Sequence, residues 1–466
     1  MGDAAPLVLH DAIVVTGEPS QPVLWNAAIA IVKNRIAEVG PSAEIRARYA
    51  GAELIHAGGK VVASGLANCH SHLSRIHGRG IMDDQNAPNT PPFSRAGFLR
   101  MPRLTAEERD NFLRLAVLEA IRSGTTAVME VGSGLADYAE LLGRTGLRFF
   151  LAEQVSDRPA GAIVGNEEVL AFDGAQVAPS LARIRALHAA FDNAHDGRIR
   201  VAAAAHAPDM VSPDLFRGLA RLQDELAILS TVHLSQYWGE VRAIRATFGV
   251  SPPQHLADLG YLRNGVIAVH CRCTETAEDE LIARSGASVC YTPAVSARSG
   301  NSCRAMDIET AGATLCVGTD EFTQDMFEVV RTGLMLERVR LGDSMRPQSE
   351  HVWNWGTRGG YAALGMPDAG LIRAGNLADL ILVDAGPAHL APNVRPAANL
   401  VHHARAGDVT DVMADGRWIM RDRKVLTLDE SAVVREAEEI GRRAWSRALA
   451  TAPAGTRAPP GIYAGD

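Results

Sequence analysis

The residues best suited to chemistry begin with a His-x-His pair, His70 and His72, inside Ser64-Gly65-Leu66-Ala67-Asn68-Cys69-His70-Ser71-His72-Leu73. Side chains two apart on an extended segment leave the same face, so both imidazoles can reach one metal ion. Three further candidates end short apolar runs: His233 in Thr231-Val232-His233, His270 in Ala268-Val269-His270 and Asp320 in Val317-Gly318-Thr319-Asp320. Imidazoles and a carboxylate are the ligands of divalent ions that activate water. Each residue also has a plainer reading when taken alone. A lone histidine is ordinarily structural, and Asp320 could cap a helix. What they share is a place at the end of an apolar run. Most of the other histidines (10, 56, 77, 188, 195, 255, 351, 389, 402 and 403) fall in terminal strands, helices or loops and read as structural.

To act together, these residues must be delivered by strands that end on one face. Apolar runs recur at 61–67, 125–131, 148–155, 198–205, 228–234, 265–271, 287–291 and 313–318. Helical candidates at 105–123, 180–193, 213–224 and 276–285 lie between them; the first opens on a Thr-x-x-Glu box, Thr105 and Glu108. Eight strands alternating with helices predict an α/β fold, a (β/α)8 TIM barrel, with an open doubly wound sheet as the alternative. In such a barrel, catalytic groups gather at the C-terminal strand ends. Short strand patterns at 7–15, 27–32, 35–39 and 53–56, and again at 378–384 and 412–421, predict a small β-sandwich built from both chain ends. The expected organisation is therefore 1–60 and 378–430 for the β-sandwich, 61–377 for the barrel, and 431–466 for a C-terminal helix and a mobile tail.

Composition limits the partners. The chain has 466 residues, 47% of them hydrophobic, and a formal charge of −8, which speaks against nucleic acid. No run of about 18 uncharged apolar residues predicts a membrane span. The first residues lack the basic and apolar segments of a secretory signal. Six sparse cysteines read as reduced thiols, so a cytoplasmic protein is expected.

The motifs resemble the amidohydrolase superfamily, in particular its single-metal branch of cytosine and adenosylhomocysteine deaminases and triazine hydrolases. The resemblance rests on Gly65-Leu66 leading to His70-x-His72, Arg79-Gly80, Ser123-Gly124-Thr125-Thr126, Val232-His233-Leu234-Ser235, Gly318-Thr319-Asp320, Gly375-x-x-Ala378-Asp379-Leu380 and Val412-Met413-Ala414-Asp415-Gly416-Arg417. It implies His70, His72, His233 and Asp320 as metal ligands, Asp320 also as the base toward water, and His270 as its assistant. It further implies His206 as a substrate contact, a homodimer or homotetramer, and a small-molecule substrate. Metal identity does not follow from these ligands; zinc is the default, with iron, cobalt or manganese as alternatives.

Lysines separate two mechanisms. Many relatives hold two metals bridged by a carbamylated lysine at the end of strand four. Here that strand ends Ala204-Ala205-His206, and the three lysines are Lys33, Lys60 and Lys424. One divalent ion per chain is therefore expected, with a bridge through Glu130 or Glu153 as the alternative. The deaminases carry His-x-x-Glu after strand five, whereas this chain has Gln236; Glu240 matches their second acid. The Ser-Asn-Asn that follows their strand-eight Asp is replaced by Glu321-Phe322-Thr323-Gln324-Asp325. Glutamine orients a substrate but cannot shuttle a proton. The expected activity is thus hydrolysis of a C–N or C–S bond in a linear amide, urea, carbamate or thiocarbamate. The alternative is an aminohydrolase or dechlorinating hydrolase of a purine, pyrimidine or s-triazine. Phe93 or Phe98 in the loop after strand one, Trp238 and Arg298 are further candidate substrate contacts, Arg298 or Arg304 being able to meet a single carboxylate.

Overall fold

In the computed structural model, which describes residues 6–84, 97–159 and 169–463, both chain ends build one sheet. Its first strands are β1 (Leu7–Val15), β2 (Val23–Val32), β3 (Arg35–Pro41), β4 (Glu53–His56) and β5 (Lys60–Ser64). The barrel follows: β6 (Leu66–Ser71), β7 (Thr125–Gly132), β8 (Arg148–Val155), β9 (Ile199–Ala205), β10 (Leu229–Leu234), β11 (Val266–His270), β12 (Ser288–Tyr291) and β13 (Leu315–Val317). The chain then returns to the first sheet with β14 (Leu380–Asp384), β15 (Val409–Ala414), β16 (Arg417–Arg421) and β17 (Lys424–Val425).

The eight barrel strands run parallel, each beside its sequence neighbour. A parallel bridge between Ser71 and Asp320 joins the last strand to the first. Asn68 stitches the same seam, donating to Thr319 Oγ1 (2.8 Å) and accepting from the Thr319 N–H (3.1 Å). The other sheet, ordered β17-β16-β15-β14-β5-β1-β2-β3 with β4 on β1, joins the two ends through antiparallel β5 and β14.

Local signals explain the elements around the barrel. The helix Ala106–Arg122 starts on the Thr105–Glu108 capping box, and Pro213–Leu226 on the Ser212 cap with proline in its first turn. Strand residues are buried on both faces, as a covered parallel barrel requires. Small side chains fill its interior: Ala67, Cys69, Ala127, Ala152, Ala202, Ala204, Cys290 and Cys316 pack with Met129, Ile267 and Val269. All six cysteines are free and buried.

Three sequence expectations change in detail. The run 61–67 is two strands: β5 belongs to the end sheet, and Gly65 separates it from β6 in the barrel. The run 412–421 is a hairpin, because Asp415 and Gly416 both take positive φ (54° and 71°) in a tight turn. The tail makes specific contacts, though most of its residues are exposed. Arg457 pairs with backbone of the 97–99 segment, and Ile462 joins the apolar cluster of Met82, Leu99, Phe322 and Trp445.

Candidate metal centre

His70 lies in β6, one residue before its end, His72 follows that strand, His233 lies in β10, His270 ends β11 and Asp320 follows β13. The closing seam sets two of them face to face. The Asp320 N–H donates to the His70 carbonyl (3.0 Å), and the His72 N–H donates to the Asp320 carbonyl (3.1 Å). Gly318 permits that approach, since a Cβ there would lie 2.7 Å from the His70 carbonyl oxygen and 2.8 Å from its Cβ. Asp320 and His270 sit at φ of 63° and 76°, a conformation that non-glycine residues adopt at a cost.

The ring protons can be placed by their partners. His72 Nδ1 donates to the Val131 carbonyl (2.7 Å), and His233 Nδ1 to the His206 carbonyl. A carbonyl only accepts, so each Nε2 carries a lone pair. These two Nε2 atoms face one another at 3.4 Å. Two lone pairs cannot bond each other; a cation between them satisfies both. Neither ring nitrogen of His70, nor Nε2 of His270, has a hydrogen-bond partner among the described residues. Asp320 Oδ1 lies 3.7 Å from His70 Nε2 and 3.6 Å from His72 Nε2, while Oδ2 lies 3.8 Å from His270 Nε2. A tetrahedral ion with bonds of about 2.0–2.2 Å spaces its ligand atoms about 3.3–3.6 Å apart. His70, His72 and Asp320 group within ligand distance of one another, the spacing such an ion needs. His70, His233 and His270 form a second such group, and His270 Nε2 also lies beside Asp320.

Electrostatics agree with this donor set. Burial, then His70, holds His72 at about 3, and burial keeps His233 and His270 far below the usual imidazole value. Burial opposes ionisation of Asp320, yet the surrounding imidazoles hold its carboxyl well below the ordinary range. His72, His233 and His270 are thus neutral imidazoles near one carboxylate. That is the ligand form a divalent ion requires.

The remaining candidates divide. His206 follows β9; its carbonyl orients His233 and its ring lies 5.6 Å from that of His233. Burial and the Arg75 charge lower its pKa to about 4. Gln236 follows β10 on a fixed backbone, because Glu240 accepts from the N–H groups of Ser235 (2.7 Å) and Gln236 (2.9 Å). Glu240 is therefore a loop holder. Trp238 opens the helix Trp238–Phe248 and is 37% exposed. Arg298 is not free to meet a substrate: it donates to Asp83 (2.5 Å) and stacks over Phe322. Arg304 is likewise paired, with Asp279 (2.7 Å). Phe98 packs under Arg457 of the tail, and Phe93 lies outside the described residues.

Both glutamate alternatives are engaged by partners within the protein. Glu130 accepts from the Leu73 N–H (2.9 Å) and the Tyr138 hydroxyl (3.4 Å), and Glu153 accepts from the N–H groups of Gly134 and Leu135 (3.0 Å each). Glu130 thereby pins the turn that carries His72, a supporting role that the sequence reading missed. Its signal was an acid inside an apolar strand. Lys60 is tied to Asp411 (2.7 Å) in the end sheet, away from the barrel mouth. Arg75, paired with Glu321 (2.7 Å) beside Asp320, was missed as well.

Comparison with known proteins places this arrangement. The model of the amidohydrolase family matches residues 61–419, which span the whole barrel and most of the returning sheet. The chain belongs to the amidohydrolase family. As an amidohydrolase, it is a hydrolase that acts on carbon–nitrogen bonds other than peptide bonds. It is 28% identical to a 5-methylthioadenosine/S-adenosylhomocysteine deaminase of Pelotomaculum thermopropionicum, over 95% of this chain and 100% of the other. A zinc-bound adenosine deaminase from Xanthomonas campestris superposes with a TM-score of 0.83 at 26% identity, covering 94% of this amidohydrolase and 98% of that chain. Atrazine chlorohydrolase from Arthrobacter aurescens, also with zinc, shares the fold (TM-score 0.81, 18% identity, 93% and 100% covered). Among the described residues no helix is long and apolar enough to cross a membrane.

Proposed function

We propose that this amidohydrolase holds one divalent ion, zinc by default, on His70, His72, His233 and Asp320, and hydrolyses an exocyclic C–N bond of an N-heteroaromatic compound. The observation that carries the reading is the pair of facing lone pairs on His72 and His233, closed off by the Asp320 carboxylate. The deaminase relatives support the heteroaromatic substrate. An ion held there would act as a Lewis acid and lower the pKa of a water toward neutrality.

The chain's own groups supply the rest. Asp320 is ionised, and its Oδ2 faces His270, so it is placed to take the proton of the attacking water. His270 is neutral, and its Nδ1 is fixed against Thr292 Oγ1 (2.9 Å). Its unpartnered Nε2 stands where a proton can pass between Asp320 and the departing amine. His206, neutral as well, and the side chain of Gln236 orient the substrate from strands β9 and β10. Gln236 can donate and accept hydrogen bonds but holds no transferable proton. Proton traffic therefore runs through Asp320 and His270.

Gln236 favours the second reading, a linear amide, urea or thiocarbamate, because such a carbonyl needs no ring protonation. Ammonia release from aminopurines, aminopyrimidines and amino-s-triazines, set against cleavage of phenylureas and thiocarbamates by the same metal-analysed protein, separates the two. The heteroaromatic reading expects ammonia, and Gln236→Glu to raise its rate. Cleavage of only the linear compounds would replace it. We extend the proposal to a cytoplasmic homodimer or homotetramer acting on a small molecule. The buried free thiols support the compartment, and light scattering tests the assembly.

A further inference from the structure

Two residues beyond His270, the chain places Arg272. It is 9% exposed, and among the described residues no hydrogen bond or ion pair engages its guanidinium, whose Nε and Nη1 are both buried and without a partner. A guanidinium kept out of water without a counter-ion is costly to the fold. It is also held deliberately. His270 and Cys271 take φ of 76° and 47° in succession, turning the chain sharply at the strand end. The Cys271 N–H then donates to the Leu234 carbonyl (2.9 Å), and those of Arg272 (3.1 Å) and Cys273 (2.9 Å) to the Ser235 carbonyl. Ser235 is itself fixed by Glu240. Arg272 thus stands on a rigid base beside Gln236, at the end of the barrel that carries the ligand cluster.

Its charge reaches that cluster. After burial, Arg272 is the largest influence depressing His270, and Asp320 is the strongest charge influence on Arg272 in return. Yet Asp320 and Glu240 both lie beyond ion-pair distance. Around the mouth, Arg75, Arg298 and Arg304 are already paired with Glu321, Asp83 and Asp279. A planar guanidinium with free N–H groups matches a carboxylate, which can accept two parallel hydrogen bonds.

We propose that Arg272 determines specificity in this site by binding a carboxylate on the substrate, so that the enzyme acts on anionic C–N compounds in preference to neutral ones. This rests on the hydrolytic reading above for the identity of the reacting end. It makes Arg272 the counter-ion that Arg298, by its ion pair, cannot be.

Nicotinate and nicotinamide, one ring bearing a carboxylate or its neutral amide, test this by calorimetric titration of the metal-loaded full chain. The wild type is expected to bind nicotinate about 10–100-fold more tightly, the value of a charge-assisted bidentate contact. Arg272→Met should erase the preference at unchanged metal content. Arg272→Lys, which keeps a point charge but loses the fork, should retain part of it and serves if the methionine variant does not fold. Equal binding of both probes by the wild type overturns the proposal. So does a preference that survives undiminished in the variants, since the metal alone would then hold the carboxylate. Turnover of amides, ureas and aminoheterocycles is scored separately. No turnover with the nicotinate preference intact removes the hydrolytic reading and keeps the carboxylate site, whereas turnover without the preference does the reverse.

Discussion

At the base of the barrel, Arg148 at the start of β8 donates to Asp379 (3.0 Å) and Asp415 (2.6 Å). Tyr361 donates to Asp379 (3.0 Å), the Asp415 N–H donates to Asp379 (2.5 Å) and Asn34 donates to Asp415 (2.9 Å). At the mouth, by contrast, His70, the Nε2 of His270 and the Nε and Nη1 of Arg272 stand without partners. Both clusters are buried and both carry charge. At the base Asp379 and Asp415 are both answered, and Arg148, donating to each from the barrel, clamps the barrel to the end sheet. The mouth leaves donors and lone pairs aimed at one another, an arrangement that only a ligand completes. Satisfaction, rather than burial or charge, separates the structural cluster from the functional one.

The contrast can be broken from either side. The largest effect is expected at the mouth: His72→Ala should lose the metal, measured by elemental analysis, and lower kcat/KM by about 10³-fold or more. Its metal-free stability should change little. Arg148→Met should do the opposite, destabilising the fold by about 3–5 kcal/mol through uncompensated buried carboxylates, read from denaturant midpoints, while the folded fraction still binds metal. Gly318→Ala tests the seam. Its Cβ would press on His70, and metal affinity is expected to fall about 10–100-fold, as for other changes behind a ligand. A G318A protein with wild-type affinity would show that the close approach is not needed.

Two smaller effects depend on pH. His72 and His206 have folded pKa values of about 3 and about 4, below the ordinary 6.5. The unfolded chain then binds protons that the fold refuses, so the stability of the metal-free protein should be full above 6.5 and decline as pH falls toward 4. Proton uptake on unfolding checks the sign. Glu130 runs the other way. Burial raises it to about 8, so its contribution is full below 4.5 and is lost as pH rises through 8. Glu130→Gln should flatten the alkaline limb and leave the acid limb unchanged.

Much of this was legible in the sequence because strand ends and metal ligands leave local signatures. Strands β1, β4 and β8 have the bounds that their apolar patterns predicted, and the helix Thr276–Arg284 ends one residue short of its expected limit. His70, His72, His233, His270 and Asp320 converge as their positions required. What escaped depended on pairing across the chain. Nothing local to residues 61–67 says that β5 turns away to β14. Arg298 and Arg272 look alike in a sequence, and only the fold reveals that Asp83 occupies the first while no acid reaches the second. Glu130 and Glu240 read as potential chemistry because their partners are backbone N–H groups, which no side-chain pattern announces.

The bridge between Ser71 and Asp320 would give a bound ion a place in the order of assembly. Asn68 and Thr319, hydrogen-bonded across the seam, are separated by 251 positions, so the first strand leaves the ribosome long before its neighbour exists. Until β13 docks, the nascent chain has a histidine pair but no carboxylate opposite it. An ion held by residues on both sides of that seam would act as a clasp, its binding energy helping to keep the ring shut. Stripping it should loosen amide exchange first along β6 and β13, leaving the opposite wall at β9 and β10 protected.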